Sequence, residues 1–208
     1  MYSVERGLRR AGYRYVAGVD EAGRGPLAGP VVAAAVVLDG RSRIPGLQDS
    51  KRLSPRQREE VAEAIRRKAV SWAVAQATVE EVDRLNVLHA SRLAMRRAVE
   101  QLSVRPSVVL VDGGWGLVTD LPQRVVVGGD GTVACIAAAS VLAKVERDRI
   151  MVELDRAYPG YGFAQHKGYA CPAHLEALRR LGPSPVHRRS FAPVRTLGLD
   201  LWPDSQNP

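Results

Sequence analysis

The chain is poor in cysteine and has no long apolar segment. Its 208 residues include 2 cysteines, Cys135 and Cys171, which lie far apart and outside any Cys-x-x-Cys pattern. This spacing argues against a disulfide framework and predicts reduced thiols. The longest apolar run has about nine residues, whereas a membrane-spanning helix needs about 20. No charged-then-apolar leader is visible, so we expect a cytoplasmic protein without a membrane partner.

Acidic residues are scarce in the C-terminal part of the chain. From Arg156 to Arg195 there are seven lysines and arginines against one acid, Glu176, and the formal net charge of the chain is +8. Such a segment, on a chain whose strands end in acids, fits a polyanion-binding surface around a metal site. A solvated basic face accounts for the same charge, and composition alone does not choose between the two.

Length and composition predict one globular domain, or one domain with a small appendage. A hydrophobic share of 46% is ordinary for a folded protein, and 208 residues can enclose a sizeable core. An alanine-rich helical segment then gives way to a Gly/Tyr/His loop and a proline-punctuated basic stretch. We therefore expect a core at residues 1–155, a basic helical and loop extension of the same domain at 156–197, and a flexible tail at 198–208.

Strand and helix signals alternate along the predicted core. Capping residues mark three helix starts, at Ser54, Thr78 and Asn86. The apolar strand at 107–112 is continuous, which indicates burial on both faces in the middle of a sheet. Further strands are predicted at 16–20, 30–38, 72–77 and 124–127, and further helices at 132–158 and 172–181.

One segment is more informative than the rest: an apolar run ends on two carboxylates, Asp20 and Glu21, and a glycine-rich turn follows. A buried carboxylate pair needs compensating positive charge, and a divalent cation is the usual source. The glycines would let a polymer backbone or a phosphate approach closely. Residues 23–28 also fit the dinucleotide pattern Gly-x-Gly-x-x-Gly/Ala, but a predicted strand follows instead of a helix, which argues against that function. A solvated turn is the plainer alternative.

Four acids follow apolar strands directly or after a short glycine turn: Asp20, Glu21, Asp112 and Asp130. Sites in open α/β sheets collect outside the carboxyl ends of strands, so these acids can converge at one edge. Consecutive strand residues point to opposite faces, so Asp20 and Glu21 share a site only if the strand ends there or Glu21 contributes its carbonyl. Carboxylates without histidine or thiolate favour Mg²⁺ or Mn²⁺, and an all-carboxylate site for two such ions is typical of phosphodiester hydrolysis.

Several motifs occur in order between about residue 14 and residue 195. They are Asp-Glu-Ala-Gly-Arg-Gly-Pro-Leu-Ala-Gly-Pro at 20–30, Asp-Ser-Lys at 49–51, Val-Asp-Gly at 111–113, Gly-Asp at 129–130, the segment 136–148, His-Lys-Gly-Tyr at 166–169 and His-Arg-Arg-Ser-Phe at 187–191. Together they closely resemble bacterial ribonuclease HII. One departure is Gly128, where the family often has lysine, and it concerns a peripheral phosphate contact rather than catalysis.

The resemblance implies an α/β protein with the ribonuclease H-like fold. In this fold a mixed five-stranded sheet is flanked by helices, and here a helical C-terminal extension would follow a catalytic core at 1–155. The resemblance also implies that Asp20, Glu21, Asp112 and Asp130 are catalytic and bind two divalent ions, Mn²⁺ or Mg²⁺. The implied enzyme is a monomeric endoribonuclease that hydrolyses the RNA strand of RNA–DNA hybrids. It would also cut 5′ of single ribonucleotides in duplex DNA, leaving 3′-hydroxyl and 5′-phosphate ends.

Further residues match family positions that bind the nucleic acid. Gly23, Arg24 and Gly25 resemble the loop whose backbone contacts the 2′-hydroxyl, the group that distinguishes RNA from DNA. A side chain at either glycine would then hold the sugar away. Tyr169 resembles the tyrosine that packs on the neighbouring sugar and hydrogen-bonds this hydroxyl. Phosphate contacts are expected from Lys51, Ser140, Lys144, Arg188 and Arg189, whereas His166 and His187 are expected to be architectural or phosphate-facing.

Other functions stay open at this point. Ribonuclease HIII carries an extra N-terminal substrate-binding domain, which we do not expect because only residues 1–15 precede the first predicted strand. Another two-metal nuclease of the same fold would have comparable carboxylates but would not need the Gly-Arg-Gly loop or the tyrosine. A non-catalytic nucleic-acid-binding module fits the basic charge, but four acids beside its binding surface would oppose binding.

Overall fold

The computed structural model describes residues 1–40 and 43–200, with side chains up to residue 196. The strands are β1 (Val16–Ala22), β2 (Val31–Leu38), β3 (Ala69–Ala77), β4 (Val108–Asp112) and β5 (Gln123–Val126). The helices are α1 (Ser3–Arg10), α2 (Pro55–Lys68), α3 (Val79–Leu85), α4 (Val87–Glu100), α5 (Gly129–Thr132), α6 (Ala134–Ala157), α7 (Phe163–His166), α8 (Pro172–Leu181) and α9 (Ala192–Asp200). A 3₁₀ turn lies at Ser50–Arg52.

The strands form one mixed five-stranded sheet in the order β3-β2-β1-β4-β5. Strand β1 pairs antiparallel with β2 and parallel with β4, while β5 adds parallel to β4. The first four residues of β4 are buried, as its continuous apolar run predicts. The α/β class, the mixed five-stranded sheet and the flanking helices are therefore confirmed.

Helices cover both faces of the sheet. On one face α1, α2 and α6 enclose a core that includes Val16, Ala34 and Leu110. On the other face α3 and α4 enclose a second core that includes Val19 and Val109. Because side chains alternate along a strand, this division fixes the face on which each later residue of β1 and β4 lies.

Helix α6 lies directly against the middle of β1. A Cβ atom on Gly18 would come within 2.3 Å of the backbone carbon of Cys135. No side chain therefore separates strand from helix at this point, and α6 is held at a fixed position relative to the end of β1.

Local sequence signals account for the helix starts. Ser54 and Thr78 accept hydrogen bonds from the third helical amide in complete capping boxes, and the Asn86 side chain accepts from two amides at the start of α4. All three predicted caps are confirmed. Helix α1 is not anticipated from the sequence, and β3 begins at Ala69, three residues before the predicted strand.

The C-terminal extension contains α7, α8 and α9. It packs a third apolar cluster, which includes Phe163 and Leu178, against Leu27 and Ala28 of the glycine-rich segment. Of the predicted flexible tail at 198–208, residues 201–208 lie outside the described part of the chain, and the first three close α9. None of the helices that the structure describes is both long enough and apolar enough to span a membrane.

Candidate active site

The four acids singled out from the sequence line one cavity of about 280 Å³ at the carboxyl ends of β1 and β4. Asp20 and Glu21 lie near the end of β1, Asp112 closes β4, and Asp130 lies in α5. The same cavity is lined by Gly23, Arg24, Gly25, Lys51, Ser140, Lys144 and Tyr169. It is also lined by Ala22, Ser50 and Arg147, which sequence reasoning did not select.

Strand register brings two of the acids side by side. Val19 of β1 pairs with Val111 of β4, so Asp20 and Asp112 take the next position on neighbouring parallel strands. Asp20 lies opposite Ala34, whose side chain belongs to the core under α6. These two carboxylates therefore leave the sheet on the face that α6 covers.

Glu21 reaches the cavity from the other face of the sheet. It lies opposite Ala33, whose side chain belongs to the core under α4. Strand β1 continues to Ala22, so the first of the two expected conditions for a shared site, that the strand ends at the acids, is not met. Both residues nevertheless line the cavity, which lies at the carboxyl ends of β1 and β4.

Burial and mutual repulsion disfavour the charged forms of these acids. The pKa of Asp20 is raised well above its ordinary value, first by burial and then by the negative charges of Glu21 and Asp112. Burial likewise raises the pKa of Glu21, although Arg24 partly offsets it. The pKa of Asp112 is raised by burial and by the charge of Asp130. The site therefore concentrates negative charge that is not fully compensated.

Each acid has a hydrogen-bond donor from the protein. Lys51 Nζ lies 2.9 Å from Asp130 Oδ2, and Arg24 Nη1 lies 3.2 Å from Glu21 Oε1. The Gly129 amide donates to Asp112 Oδ1 at 2.7 Å. The Glu21 amide donates to Asp20 Oδ1 at 2.8 Å. Two of the acids are thus neutralised by side-chain cations.

The ligand chemistry fits hard divalent cations. The acids offer carboxylate oxygens, and no cysteine or histidine lines this cavity. Within residues 1–40 and 43–196, no three Asp, Glu, His or Cys side chains are already arranged as a metal-binding group. Lys51 and Arg24 hold two of the acids as ion pairs, so a cation that takes these carboxylates has to compete with both side chains.

Helix α6 contributes a polar face to the cavity. Ser140 is buried, its hydroxyl lies 3.0 Å from the hydroxyl of Ser50, and its hydrogen bonding lowers the pKa of Asp20. One turn later, Lys144 Nζ lies 2.7 Å from Asp148 Oδ1. Lys144 lines the cavity, and its ammonium is already paired with Asp148 on the same helix.

The two glycines that flank Arg24 serve different purposes. Gly23 has a φ of +96°, and a Cβ atom there would lie 2.0 Å from Arg147 Nε. A side chain at Gly23 would thus meet Arg147, which corrects the expectation that a side chain at this position would hold a sugar away. Gly25 is exposed, and a Cβ atom there would meet only Tyr169, at 3.7 Å. Gly25 therefore faces the open cavity.

The structure corrects the expectation for Arg188. Its side chain is 0% exposed, and its guanidinium donates to the carbonyls of Gly23, Arg24 and Gly29. The prediction that Arg188 contacts a phosphate is therefore wrong, because its donors point inward at backbone oxygens. Arg189, the next residue, is exposed and stays a candidate phosphate contact.

Tyr169 is 48% exposed at the cavity rim, and a buried histidine pair lies behind it. His174 Nδ1 lies 2.9 Å from the Tyr169 carbonyl, so this nitrogen carries the proton. His174 Nε2 must then accept from His187 Nε2, which lies 3.0 Å away. His187 is 1% exposed, so it is architectural and does not face phosphate. His174 was not selected from the sequence, because a histidine on a short helix carries no distinguishing signal.

Comparison with known proteins gives consistent results. Residues 17–194 match the family model described as Ribonuclease HII. A ribonuclease HII of Laribacter hongkongensis is 59% identical over 184 residues, which cover 88% of this chain and 93% of that protein. A ribonuclease HII of Myxococcus xanthus is 57% identical over 197 residues, which cover 94% of this chain and 67% of that protein. The crystal structure of ribonuclease H2 from Pyrococcus horikoshii superposes with a TM-score of 0.76 at 28% identity and covers 89% of this chain and 98% of that one.

Proposed function

Because this chain belongs to the ribonuclease HII family, we propose that it cuts duplex DNA on the 5′ side of a single embedded ribonucleotide. Family membership makes the protein a ribonuclease H, which hydrolyses the RNA strand of RNA–DNA hybrids. The finer specificity is the proposal, together with hydrolysis at a two-ion site that leaves 3′-hydroxyl and 5′-phosphate ends.

A single observation carries the proposal. The cavity that contains the four acids is also lined by Arg24, Gly25 and Tyr169. An exposed glycine lets a ribose approach the backbone, and a half-exposed tyrosine offers both a ring and a hydroxyl. A protein can tell one ribonucleotide from deoxyribonucleotides only through its 2′-hydroxyl and the sugar shape, so these groups support recognition of a single ribose.

We assign the acids Asp20, Glu21, Asp112 and Asp130 to the ion site. Divalent ions bound there would supply a hydroxide from water and stabilise the leaving 3′ oxygen. The reaction forms a bond from the water oxygen to phosphorus and breaks the bond from phosphorus to the 3′ oxygen, which leaves with a proton. The family depends on divalent metals, and whether Mg²⁺ or Mn²⁺ serves this protein belongs to the proposal.

Positive side chains around the cavity would hold the nucleic-acid backbone. Lys144 and Lys51 line it, and Ser140 offers a hydroxyl on the same face of α6 as Lys144. Exposed Arg189 extends this surface into the C-terminal segment. Such contacts attract phosphates regardless of base sequence, so they fit a substrate that is defined by its sugar.

The test uses an end-labelled DNA duplex with one ribonucleotide, beside an all-DNA duplex of the same sequence. Each duplex is incubated with the protein in Mg²⁺, in Mn²⁺ or in EDTA, and the products are mapped. We expect one cut 5′ of the ribonucleotide, dependent on metal, with the all-DNA duplex intact. Cutting of the all-DNA duplex would indicate a different two-metal nuclease. No cut in the one-ribonucleotide duplex with either metal would contradict the finer specificity.

A further inference from the structure

Arg188 holds the glycine-rich loop from within. It is the residue after the buried His187 and is 0% exposed. Its Nε and Nη2 lie 3.0 and 2.8 Å from the Gly29 carbonyl, its Nη1 lies 2.9 Å from that of Arg24, and its Nη2 lies 2.6 Å from that of Gly23. One guanidinium thus ties together both ends of the segment 23–29.

A second arginine holds the same loop from α6. Arg147 is 1% exposed, and it donates to the carbonyls of Ala28 at 3.1 Å and Pro30 at 3.2 Å. Its third contact is the Lys167 carbonyl, at 3.1 Å, two residues before Tyr169. Arg147 therefore links the loop, helix α6 and the segment that carries the tyrosine.

Among the residues whose side chains the structure describes, neither buried arginine forms an ion pair with a carboxylate. The ion pairs there involve other arginines and two lysines. Burial lowers the pKa of Arg147 to about 10 and, with the nearby charge of Arg147, that of Arg188 to about 9. Two buried charges without a direct ion-pair partner are costly to fold, although Asp148 lies near Arg147 and Asp83 near Arg188. A planar guanidinium presents five donors on three nitrogens and so reaches several separated carbonyls at once, whereas an ammonium group has three donors on a single nitrogen.

The backbone around these arginines is also bonded to the C-terminal segment. The Gly29 amide donates to the Val186 carbonyl at 2.9 Å, and the Arg188 amide donates to the Leu27 carbonyl at 2.8 Å. The Leu27 amide donates to the Gly168 carbonyl at 2.8 Å, directly before Tyr169. The two sides of the cavity that face a ribose, the loop and the tyrosine, are therefore parts of one hydrogen-bonded frame.

We propose that Arg188, assisted by Arg147, is a positioning residue for sugar discrimination: it sets the shape of the loop 23–25 and so decides how well a ribose is distinguished from a deoxyribose. This inference rests on the proposed function. It assigns the arginine no contact with substrate and no part in binding metal. Its consequence is that sugar preference depends on a side chain that the nucleic acid never touches.

The experiment compares two constants for each protein: KM for the duplex with one ribonucleotide, and the inhibition constant Ki of the all-DNA duplex as a competitor. Their ratio, Ki/KM, measures sugar discrimination, and it does not depend on the fraction of folded enzyme. The variants are Arg188→Lys, which keeps the charge but loses the fork, and Arg189→Met as the exposed neighbouring control. The Mn²⁺ concentration for half-maximal activity and the thermal unfolding temperature are recorded for each.

We expect Arg188→Lys to lower Ki/KM at least tenfold through a higher KM, with Ki and the Mn²⁺ requirement within twofold of wild type. Arg189→Met should raise KM and Ki together and leave their ratio unchanged. A folded Arg188→Lys protein with the wild-type ratio would overturn the inference. If that variant does not fold, Arg147→Lys applies the same test, since it loosens the loop at Ala28 and Pro30. A wild-type Ki equal to KM would also overturn the inference, because the sugar would then not be discriminated at binding. Failure of the wild-type protein to cut the one-ribonucleotide duplex would instead overturn the proposed function, and this inference with it.

Discussion

Lys51 Nζ lies 2.9 Å from Asp130 Oδ2, so a lysine already neutralises one of the acids that we assign to the ion site. The hydrogen bond and the charge of Asp130 raise the pKa of Lys51 above its ordinary value, which keeps the ammonium charged. The lysine side chain is 78% exposed and the carboxylate 11%. An exposed cation of this kind can leave its partner at little cost.

Replacement of Lys51 by methionine should strengthen metal binding. The variant removes a cation that competes for Asp130, and exposed ion pairs are worth at most about 1 kcal/mol, or about fivefold in affinity. We expect calorimetric titration without nucleic acid to give a two- to fivefold lower dissociation constant for Mn²⁺. Lys144→Met is the matched control, because its partner, Asp148, is not an assigned ligand. Equal or weaker binding in Lys51→Met would show that the lysine does not compete.

Replacement of Asp20 by asparagine should abolish cleavage and stabilise the fold. Burial and two neighbouring negative charges disfavour ionised Asp20, and the amide has no charge to repel. We expect about 1–2 kcal/mol of added stability, which corresponds to a melting temperature higher by about 2–8 °C for a domain of this size. Hybrid binding should persist, because the basic surface is unchanged. A variant that loses binding together with activity while folded would contradict this separation of roles.

Alanine at the two loop glycines should have opposite effects. Gly23→Ala places a Cβ 2.0 Å from Arg147 Nε at a φ of +96°, so we expect a loss of about 2 kcal/mol or more in unfolding free energy. Gly25→Ala meets only Tyr169, at 3.7 Å, and should keep the wild-type melting temperature. It should nevertheless cut a single-ribonucleotide duplex at least tenfold more slowly, because the methyl group enters the cavity. Thermal unfolding temperatures and initial cleavage rates of both variants test these two expectations.

Replacement of Tyr169 by phenylalanine should weaken cutting at single ribonucleotides. The change removes one hydroxyl from a half-exposed side chain and keeps the ring. A lost hydrogen bond is worth about 1 kcal/mol, so we expect kcat/KM to fall about fivefold, with little change in stability. Single-turnover assays on the one-ribonucleotide duplex measure this directly. A wild-type rate for this variant would show that the Tyr169 hydroxyl takes no part in recognising the ribonucleotide.

Acid should destabilise the fold through His187. Burial, and the neighbouring His174 and His166, lower the pKa of His187 to about 4. In the unfolded chain histidine titrates near about 6.5, so between these values the unfolded state binds more protons. The stabilisation is therefore complete above about pH 6.5 and is lost as the pH falls toward about 4, by at most about 3 kcal/mol. The raised pKa of Asp20 acts in the opposite direction.

Urea unfolding from pH 7 to pH 4.5 measures this dependence. The comparison protein is His187→Gln, which cannot gain the second proton. The difference in unfolding free energy between wild type and variant should shrink steadily as the pH falls. A difference that stays constant over this range would show that His187 does not titrate during unfolding.

Much of the fold could be predicted from local signals. Capping side chains and apolar periodicity act over a few residues, so the starts of α2, α3 and α4 are readable. Helix α1 was missed because its apolar face is small: Leu8 is its one buried apolar side chain. The first residues of β3 were missed because Ala69 directly follows a helix that has no glycine stop signal.

The acids of the site could be predicted from the sequence for a physical reason, whereas the buried arginines that hold the glycine-rich loop could not. A carboxylate at the end of an apolar strand conflicts with its surroundings, and that conflict is visible in sequence. A buried arginine such as Arg188 looks the same as the exposed Arg189 beside it, because composition treats both as surface residues. Only the positions of the loop carbonyls, which depend on contacts 159 residues apart in sequence, distinguish the two.

Gly18 has a consequence for how this protein can change by mutation. Nothing separates β1 from α6 there, since a Cβ would lie 2.3 Å from the backbone of Cys135. Asp20 lies two residues further along this strand, and Ser140 lies five residues further along the helix. In a library of substitutions, Gly18 should therefore tolerate the fewest replacements, although it carries no functional group. The absence of a side chain at Gly18 sets the distance between β1, which carries Asp20, and α6, which carries Ser140.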